Sequence, residues 1–276
     1  MEESRTSEPH GTANDPTATS FDEVTGAGLG RRAWLVVRWT YRRLRDLSSQ
    51  AADLALGVRT TVVEPGGPFA AVDERLIAQR ACGWLTALRA FGRIGVRSDD
   101  VLLDVGSGTG RILAVASLFP FRRVVGLVLD VELHRAARAN TARLRWRRAG
   151  TVEVVHGDAT AYEVPDDVTV VFLYNPFVGR VFERCMERVF ESLDRSPRKM
   201  VLIYVNPKEH ACLVASGRCR LVERLSGMRP TREWAETLST HIYRIETNGA
   251  YAPPRVALER GRKDRAGGHN LCAASR

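Results

Sequence analysis

From residue 101 onward, short apolar runs alternate with longer stretches in which apolar side chains recur at helical spacing. Short runs rich in Val, Ile and Leu are typical of buried strands, and steps of three and four are typical of helices that pack on them. Strands that alternate with helices predict an α/β fold with a doubly wound, mostly parallel sheet. The predicted strands are Val101–Val105, Arg123–Leu129, Val152–His156, Val168–Tyr174, Met200–Val205, Arg220–Leu225 and Ser239–Ile245. The predicted helices between them are Arg111–Leu118, Glu132–Arg147, Val178–Leu193 and Lys208–Ala215.

The last two predicted strands have no long helical pattern between them. Strands joined without a crossover helix pair antiparallel. We therefore expect a seven-stranded sheet whose last strand runs against the others.

Two helical patterns precede the sheet. The first runs from residue 31 to about residue 50 and has one apolar face, formed by Trp34, Val37, Tyr41 and Leu44, while its arginines take another face. A basic amphipathic helix can pack on its own domain, lie on a membrane surface or follow an RNA backbone, and the pattern leaves these alternatives open. The second pattern covers residues 73–91.

These patterns divide the chain into four parts. Residues 1–30 are rich in Gly, Ser, Thr and acidic residues and predict a disordered acidic tail. Residues 31–93 form a helical extension, residues 94–246 form the α/β domain, and residues 247–276 form a flexible basic tail.

The charge is uneven along the chain, which carries +9 in total. Residues 1–30 hold one arginine against six acids, and residues 31–60 hold seven arginines against two. A basic surface attracts nucleic acid or anionic lipid, so nucleic acid is a candidate partner. An alternative is a GC-rich coding background, since nearly all the basic residues are Arg.

The remaining composition points to a cytoplasmic protein. No apolar stretch is long enough to cross a bilayer, and the acidic N-terminus lacks the layout of a secretory signal. The five cysteines are scattered without Cys-x-x-Cys spacing, which argues against a zinc site, and we expect no bound metal.

The most informative motif is the turn after the first predicted strand. Asp104 is followed by glycines at 106, 108 and 110, and a helical pattern begins at once. Glycine lets the backbone bend sharply and lets a ligand approach it closely. A dinucleotide-binding turn would read Gly-x-Gly-x-x-Gly, and this spacing differs from it. The simplest alternative is an ordinary glycine-rich turn.

Asp-x-Gly-x-Gly-x-Gly resembles motif I of the class I S-adenosylmethionine (SAM)-dependent methyltransferases. The resemblance implies a SAM cofactor whose methionine part is held by Asp104, Gly106, Ser107, Gly108 and Gly110. A carboxylate at the strand end suits the positively charged amino group and sulfonium of this cofactor.

The resemblance continues after the next two strands, with one departure. Where the family places an acid that binds the ribose hydroxyls, this chain has Val128, and Asp130 follows two residues later. Asp130 is a candidate ribose ligand and also a candidate N-cap of the next helix, and the two roles are compatible. After the third strand, Asp158 and Ala159 resemble the family's Gly-Asp-Ala, whose acid accepts a hydrogen bond from the adenine amino group.

After the fourth strand comes Asn175-Pro176-Phe177. It resembles the Asn/Asp-Pro-Pro-aromatic motif of amino-group methyltransferases, with one proline instead of two. The resemblance implies that Asn175 lies against the cofactor and, with Phe177, orients a nitrogen acceptor. The alternative is a structural turn with Phe177 in the core.

The motifs together cover about residues 94–215 and resemble a group of bacterial class I methyltransferases. They imply a SAM-dependent methyltransferase that acts on a nitrogen acceptor of unknown identity. The alternative is a catalytically degenerate relative that serves as a nucleic-acid-binding or scaffold module, which the substitution at Val128 and the basic helix favour. No general base stands out, although His156 and Tyr174 lie near the expected cleft.

Overall fold

The computed structural model describes residues 29–60, 82–174, 176–227 and 239–247. Residues 1–28 and 248–276 of the predicted tails and residues 73–81 of the second helical pattern lie outside these ranges. The prediction of a disordered tail is wrong at Leu29 and Gly30, which begin a helix. The helices are α1 (Leu29–Leu56), α2 (Trp84–Ile94), α3 (Arg111–Ala116), α4 (Val131–Ala142), α5 (Arg180–Arg195) and α6 (His210–Ala215). The strands are β1 (Val101–Val105), β2 (Arg123–Val128), β3 (Thr151–His156), β4 (Val170–Tyr174), β5 (Met200–Val205), β6 (Cys219–Leu225) and β7 (Thr240–Ile245).

The seven strands form one sheet in the order β3-β2-β1-β4-β5-β7-β6. β1 to β5 pair in parallel, and β7 runs antiparallel to both β5 and β6. This confirms the predicted doubly wound sheet with a reversed last strand. Because the first five strands are parallel, their carboxyl ends meet at one edge, where doubly wound sheets bind ligands.

Helices cover both faces of the sheet, and each face has its own apolar core. One core is built around Phe91, whose ring contacts those of Phe119, Phe121 and Phe172 at centroid distances of 5.5–5.7 Å. The other packs α5 and α6 against β4, β5 and β7, with Tyr204 and Tyr243 fully buried. All five residues of β1 are buried, so this central strand gives the edge its rigid base.

The helix α1 is longer than its apolar pattern predicts, and the predicted apolar face is buried only in part, at Trp34 and Tyr41. Val37 and Leu44 are 45% and 61% exposed, whereas Ser49 and Asp53 are buried. Asp53 is satisfied on the inward face, because its carboxylate accepts bonds from the amide and the hydroxyl of Thr60 at 2.6 and 2.7 Å. Part of the inward face of the helix is therefore polar.

The helix α4 ends at Ala142, so the prediction that it continues to Arg147 is also wrong. The amide of Arg145 donates to the carbonyl of Leu56 at the end of α1, which draws the chain away from a helical path. Among the described helices, none is long and apolar enough to cross a bilayer.

Candidate cofactor site

The turn between β1 and α3 lies at the carboxyl edge and is fixed by backbone bonds to the neighbouring strand. The amides of Gly106 and Ser107 both donate to the carbonyl of Leu127 at 2.9 Å. The three glycines at 106, 108 and 110 have φ angles of 79°, 54° and 87°. Other residues rarely adopt these angles, so the glycine spacing is a backbone requirement of the turn.

Two of the close contacts around this turn also require glycine. A Cβ on Gly106 would lie 2.8 Å from Cβ of Pro176, and a Cβ on Gly126 would lie 2.6 Å from the Leu113 side chain and 2.8 Å from Ser107 Oγ. All three distances are shorter than the contacts that real Cβ atoms make. The turn after β4 therefore packs directly on the glycine turn, and β2 lies close beneath it.

Asp104 and Ser107 carry the polar groups that the fold does not use. Both residues are buried, and neither Asp104 Oδ2 nor Ser107 Oγ has a hydrogen-bond partner in the described part of the chain. Burial raises the pKa of the Asp104 carboxyl to about 8. A buried acceptor without a partner costs free energy, so its presence here needs an explanation in terms of a ligand or strain. A cation that reaches Asp104 would supply the missing partner and restore the charged form. These groups fit the cationic methionine end of SAM.

The end of β2 offers less to a ligand. Val128 is buried and apolar, and Leu129 after it is 54% exposed. The carboxylate of Asp130 accepts the amide of Leu133 at 2.7 Å and caps α4, which confirms the predicted cap. Its role as a ribose ligand stays a prediction. His156 Nε2 lies 2.8 Å from the carbonyl of Leu129, so this histidine braces the strand end.

Asp158 and Ala159 follow β3 at the same edge of the sheet as Asp104. Asp158 is exposed, and its Oδ1 accepts bonds from the amide and the hydroxyl of Thr160 at 2.8 and 2.9 Å. Ala159 packs against the core beneath it. The turn that would present an acid to adenine is therefore formed, with Asp158 Oδ2 making no hydrogen bond to any described residue.

Asn175 lies outside the described residues, but the turn around it is defined. Pro176 packs on Gly106, and Phe177 is buried in the core with Phe182. This is the placement that the structural alternative for Phe177 anticipates, and it does not favour a direct contact between the ring and an acceptor. The amide of Gly179 donates to Glu209 Oε1 at 2.8 Å, which ties the turn to the segment before α6.

Residues 103–197 match the family model described as a methyltransferase domain. This match agrees with the glycine motif, the strand order and the geometry of the glycine turn. The matched residues make up about a third of the chain and contain the glycine turn and the strands β2, β3 and β4. A SAM cofactor is what the sequence resemblance implies, and the unpartnered buried atoms of Asp104 and Ser107 fit it.

Several solved structures are similar to this chain. An RNA methyltransferase from Salinibacter ruber in complex with S-adenosylhomocysteine (SAH) is 23% identical, with 60% of this chain and 94% of that chain covered and a TM-score of 0.47. A protein from Pyrococcus horikoshii, provisionally described as an RNA methyltransferase, is 19% identical over 64% and 90% of the two chains, with a TM-score of 0.47. The tRNA (uracil-54, C5)-methyltransferase of Pyrococcus abyssi with SAH is 18% identical over 59% and 38%, with a TM-score of 0.41. No curated protein matches the chain in sequence. The solved structures are too distant to transfer an acceptor.

Arg111 is a structural residue next to the glycine turn, and the sequence motifs do not identify its role. It is buried, its Nε donates to Thr60 Oγ1 at 2.8 Å, and its Nη1 donates to the carbonyl of Cys82 at 3.3 Å. Burial lowers the pKa of Arg111, and the nearby Asp53 acts against that shift. The arginine thereby links the helical extension to the first turn of α3. The sequence signal was present, since an arginine follows the last glycine of the motif.

Proposed function

We propose that this protein transfers the methyl group of SAM to a nitrogen acceptor. The observation that supports this proposal most is the contact between Pro176 and Gly106, because it brings the turn after β4 against the turn that holds the cofactor. An acceptor bound by the turn after β4 would then lie beside the methyl group of a cofactor held by the glycine turn.

The side chains divide into two groups by role. Asp104 and Ser107 hold the amino-acid end of the cofactor, Asp130 takes the ribose hydroxyls, and Asp158 takes the adenine amino group. When bound, SAM supplies an activated methyl group. Asn175 accepts an N–H bond from the acceptor through its side-chain carbonyl and so directs the nitrogen lone pair. Such orientation is worth up to about 7–11 kcal/mol of the barrier.

The direct test is incubation of the purified chain with radiolabelled SAM and a fractionated lysate. We expect label in one fraction, and we expect hydrolysis and mass analysis of the product to give an N-methyl group. Asn175→Ala should lower the rate of transfer far more than it lowers SAH affinity, because this side chain orients the acceptor in addition to lying against the cofactor. A product methylated on oxygen or carbon would contradict the nitrogen assignment.

A second candidate is a non-catalytic module that keeps the fold, and buried Val128 at the ribose position favours it. Calorimetry separates the two candidates. Absence of SAH binding at millimolar ligand would favour the module, whereas micromolar binding with no transfer to any fraction would leave the cofactor assignment intact and remove the transfer. The cytoplasmic location stays a prediction.

A further inference from the structure

The loop between α4 and β3 carries an unusual concentration of exposed positive charge. Its sequence from residue 143 to residue 148 is Arg-Leu-Arg-Trp-Arg-Arg, and all four arginines are exposed. Trp146 between them is 67% exposed. Two further exposed arginines lie next to this loop, since Arg138 is on α4 and the backbone of Arg59 is bonded to Asn140 near the end of that helix.

These arginines differ from most others in the described part of the chain because no described carboxylate forms an ion pair with them. Arg122 and Arg123 share Asp167, Arg195 pairs with Asp166, and Arg218 pairs with Asp194. Within the described residues, the side chains of the six arginines at 59, 138, 143, 145, 147 and 148 form neither ion pairs nor hydrogen bonds. The fold therefore does not need these charges in the way it needs the paired ones.

The loop itself is fixed, so the exposed side chains stand on an ordered backbone. The carbonyl of buried Ser117 accepts the amides of Arg148 and Ala149 at 2.7 and 3.2 Å. The amide of Arg145 is bonded to Leu56, and its side chain lies across Gly57 at the end of α1. Binding at this surface would cost little ordering of the backbone.

We propose that Arg143, Arg147, Arg148 and Trp146 form a binding surface for single-stranded nucleic acid. Guanidinium groups pair with backbone phosphates, and an exposed indole gives an unpaired base a face to stack on. A duplex would keep its bases away from the indole. A lipid surface is less well matched, because Leu144 is half-buried and the loop exposes one large apolar side chain among four charges.

The surface lies at the amino edge of the sheet, because the loop precedes β3, whereas the glycine turn lies at the carboxyl edge. A strand of six residues such as β3 spans about 20 Å, which a few nucleotides of extended single strand can bridge. The surface would hold a polymer while another part of it reaches the methyl group. As a statement about the acceptor class this rests on the proposed function, but binding can be measured without the cofactor.

The test uses the full chain and fluorescent 20-nucleotide RNA and DNA single strands, with affinity measured by anisotropy over a range of salt concentrations. The triple variant R143Q/R147Q/R148Q should lower the slope of log K against log salt by about 2 in magnitude, since each phosphate contact on a single strand contributes about 0.7. The matched control is R180Q/R224Q/R244Q, which removes the same net charge at three exposed arginines that form no ion pair with a described residue, and it should leave the slope nearly unchanged.

Substitutions at Trp146 provide a second test, because they change the binding affinity without changing the charge of the surface. Trp146→Ala should weaken binding about tenfold with an unchanged salt slope, and Trp146→Phe should restore most of it, because stacking needs a ring. Vesicles of neutral and of mixed anionic lipid are assayed in parallel. The proposal would be overturned if the two triple variants lost the same amount of salt slope, or if the wild-type chain bound no nucleic acid. It would also be overturned if the chain bound anionic vesicles but not the RNA or DNA strands. SAH calorimetry on every variant reports the cofactor site separately, so a failed binding surface is distinguishable from a failed methyltransferase.

Discussion

The ends of β1 and β2 lie side by side at the carboxyl edge, yet they treat their polar groups in opposite ways. At the end of β1, the buried oxygens Asp104 Oδ2 and Ser107 Oγ have no partner among the described residues. At the end of β2, Val128 offers no polar group and Asp130 already caps a helix. The difference indicates that the fold leaves the β1 half of the proposed cofactor site open to a ligand and uses the β2 half for its own stability.

The largest loss of SAH affinity should come from a side chain that fills the glycine turn at the end of β1. Gly106→Val places a side chain within 2.8 Å of Pro176 at a φ of 79°, so we expect at least about a 100-fold loss of SAH affinity by calorimetry. Gly92→Ala is the matched control, because its Cβ would meet nothing within 4 Å and it lies in helix α2. This control should bind normally and gain up to about 1 kcal/mol of stability. Unchanged binding by Gly106→Val would mean that the ligand site lies elsewhere.

Asp104→Asn should separate ligand binding from stability. The carboxyl has a pKa of about 8 in the folded protein and an ordinary value of 3.8, so the folded state binds more protons between these values. The wild-type chain therefore loses stability as pH rises from about 4 to about 8, by an amount on the order of 5 kcal/mol if nothing relaxes. The variant should lack most of this loss and be the more stable protein at pH 8, as measured by denaturant unfolding.

The same variant should bind SAM at least about tenfold more weakly at pH 8.5, because an amide cannot neutralise a cation. Equal pH profiles for the two proteins would show that Asp104 is solvated. Equal SAM affinities would show that it lies outside the cofactor site.

The sequence predicts the two halves of this comparison unequally, for a physical reason. Strand ends and the glycine turn follow from local patterns, so β1 and β5 are predicted at their observed bounds. The inward face of α1 and the early end of α4 involve contacts with residues outside the helix, such as Asp53 with Thr60 and Arg145 with Leu56. Periodicity does not contain such contacts. For the same reason, the sequence locates Asp104 but does not show that it is left without a partner.

Two substitutions at Asp130 should separate ribose binding from helix capping at the end of β2. Asp130→Asn keeps an oxygen for the amide of Leu133 and replaces the second oxygen by a donor. If this residue binds the ribose, SAH affinity should fall about fivefold to tenfold with unchanged stability, since one hydrogen bond to a charged group is lost. Asp130→Ala should show the same loss of affinity and about 1 kcal/mol less stability, because the cap is also removed. Full affinity in Asp130→Asn would assign the residue to the cap alone.

The smallest effect should come from Asp158, whose exposed carboxylate is the weakest of the candidate ligands in this environment. Asp158→Asn keeps Oδ1 as the acceptor for Thr160 and removes the acceptor that faces away from the turn. We expect SAH affinity to fall about fivefold, the size of one hydrogen bond in water-exposed surroundings, with no change in unfolding. An SAH analogue that lacks the adenine amino group should bind the wild-type chain and the variant equally, because the bond in question is then absent from both. A fivefold difference that persists with this analogue would show that Asp158 does not bind the adenine amino group. The residues at the end of β1 would then be better supported as cofactor ligands than Asp158.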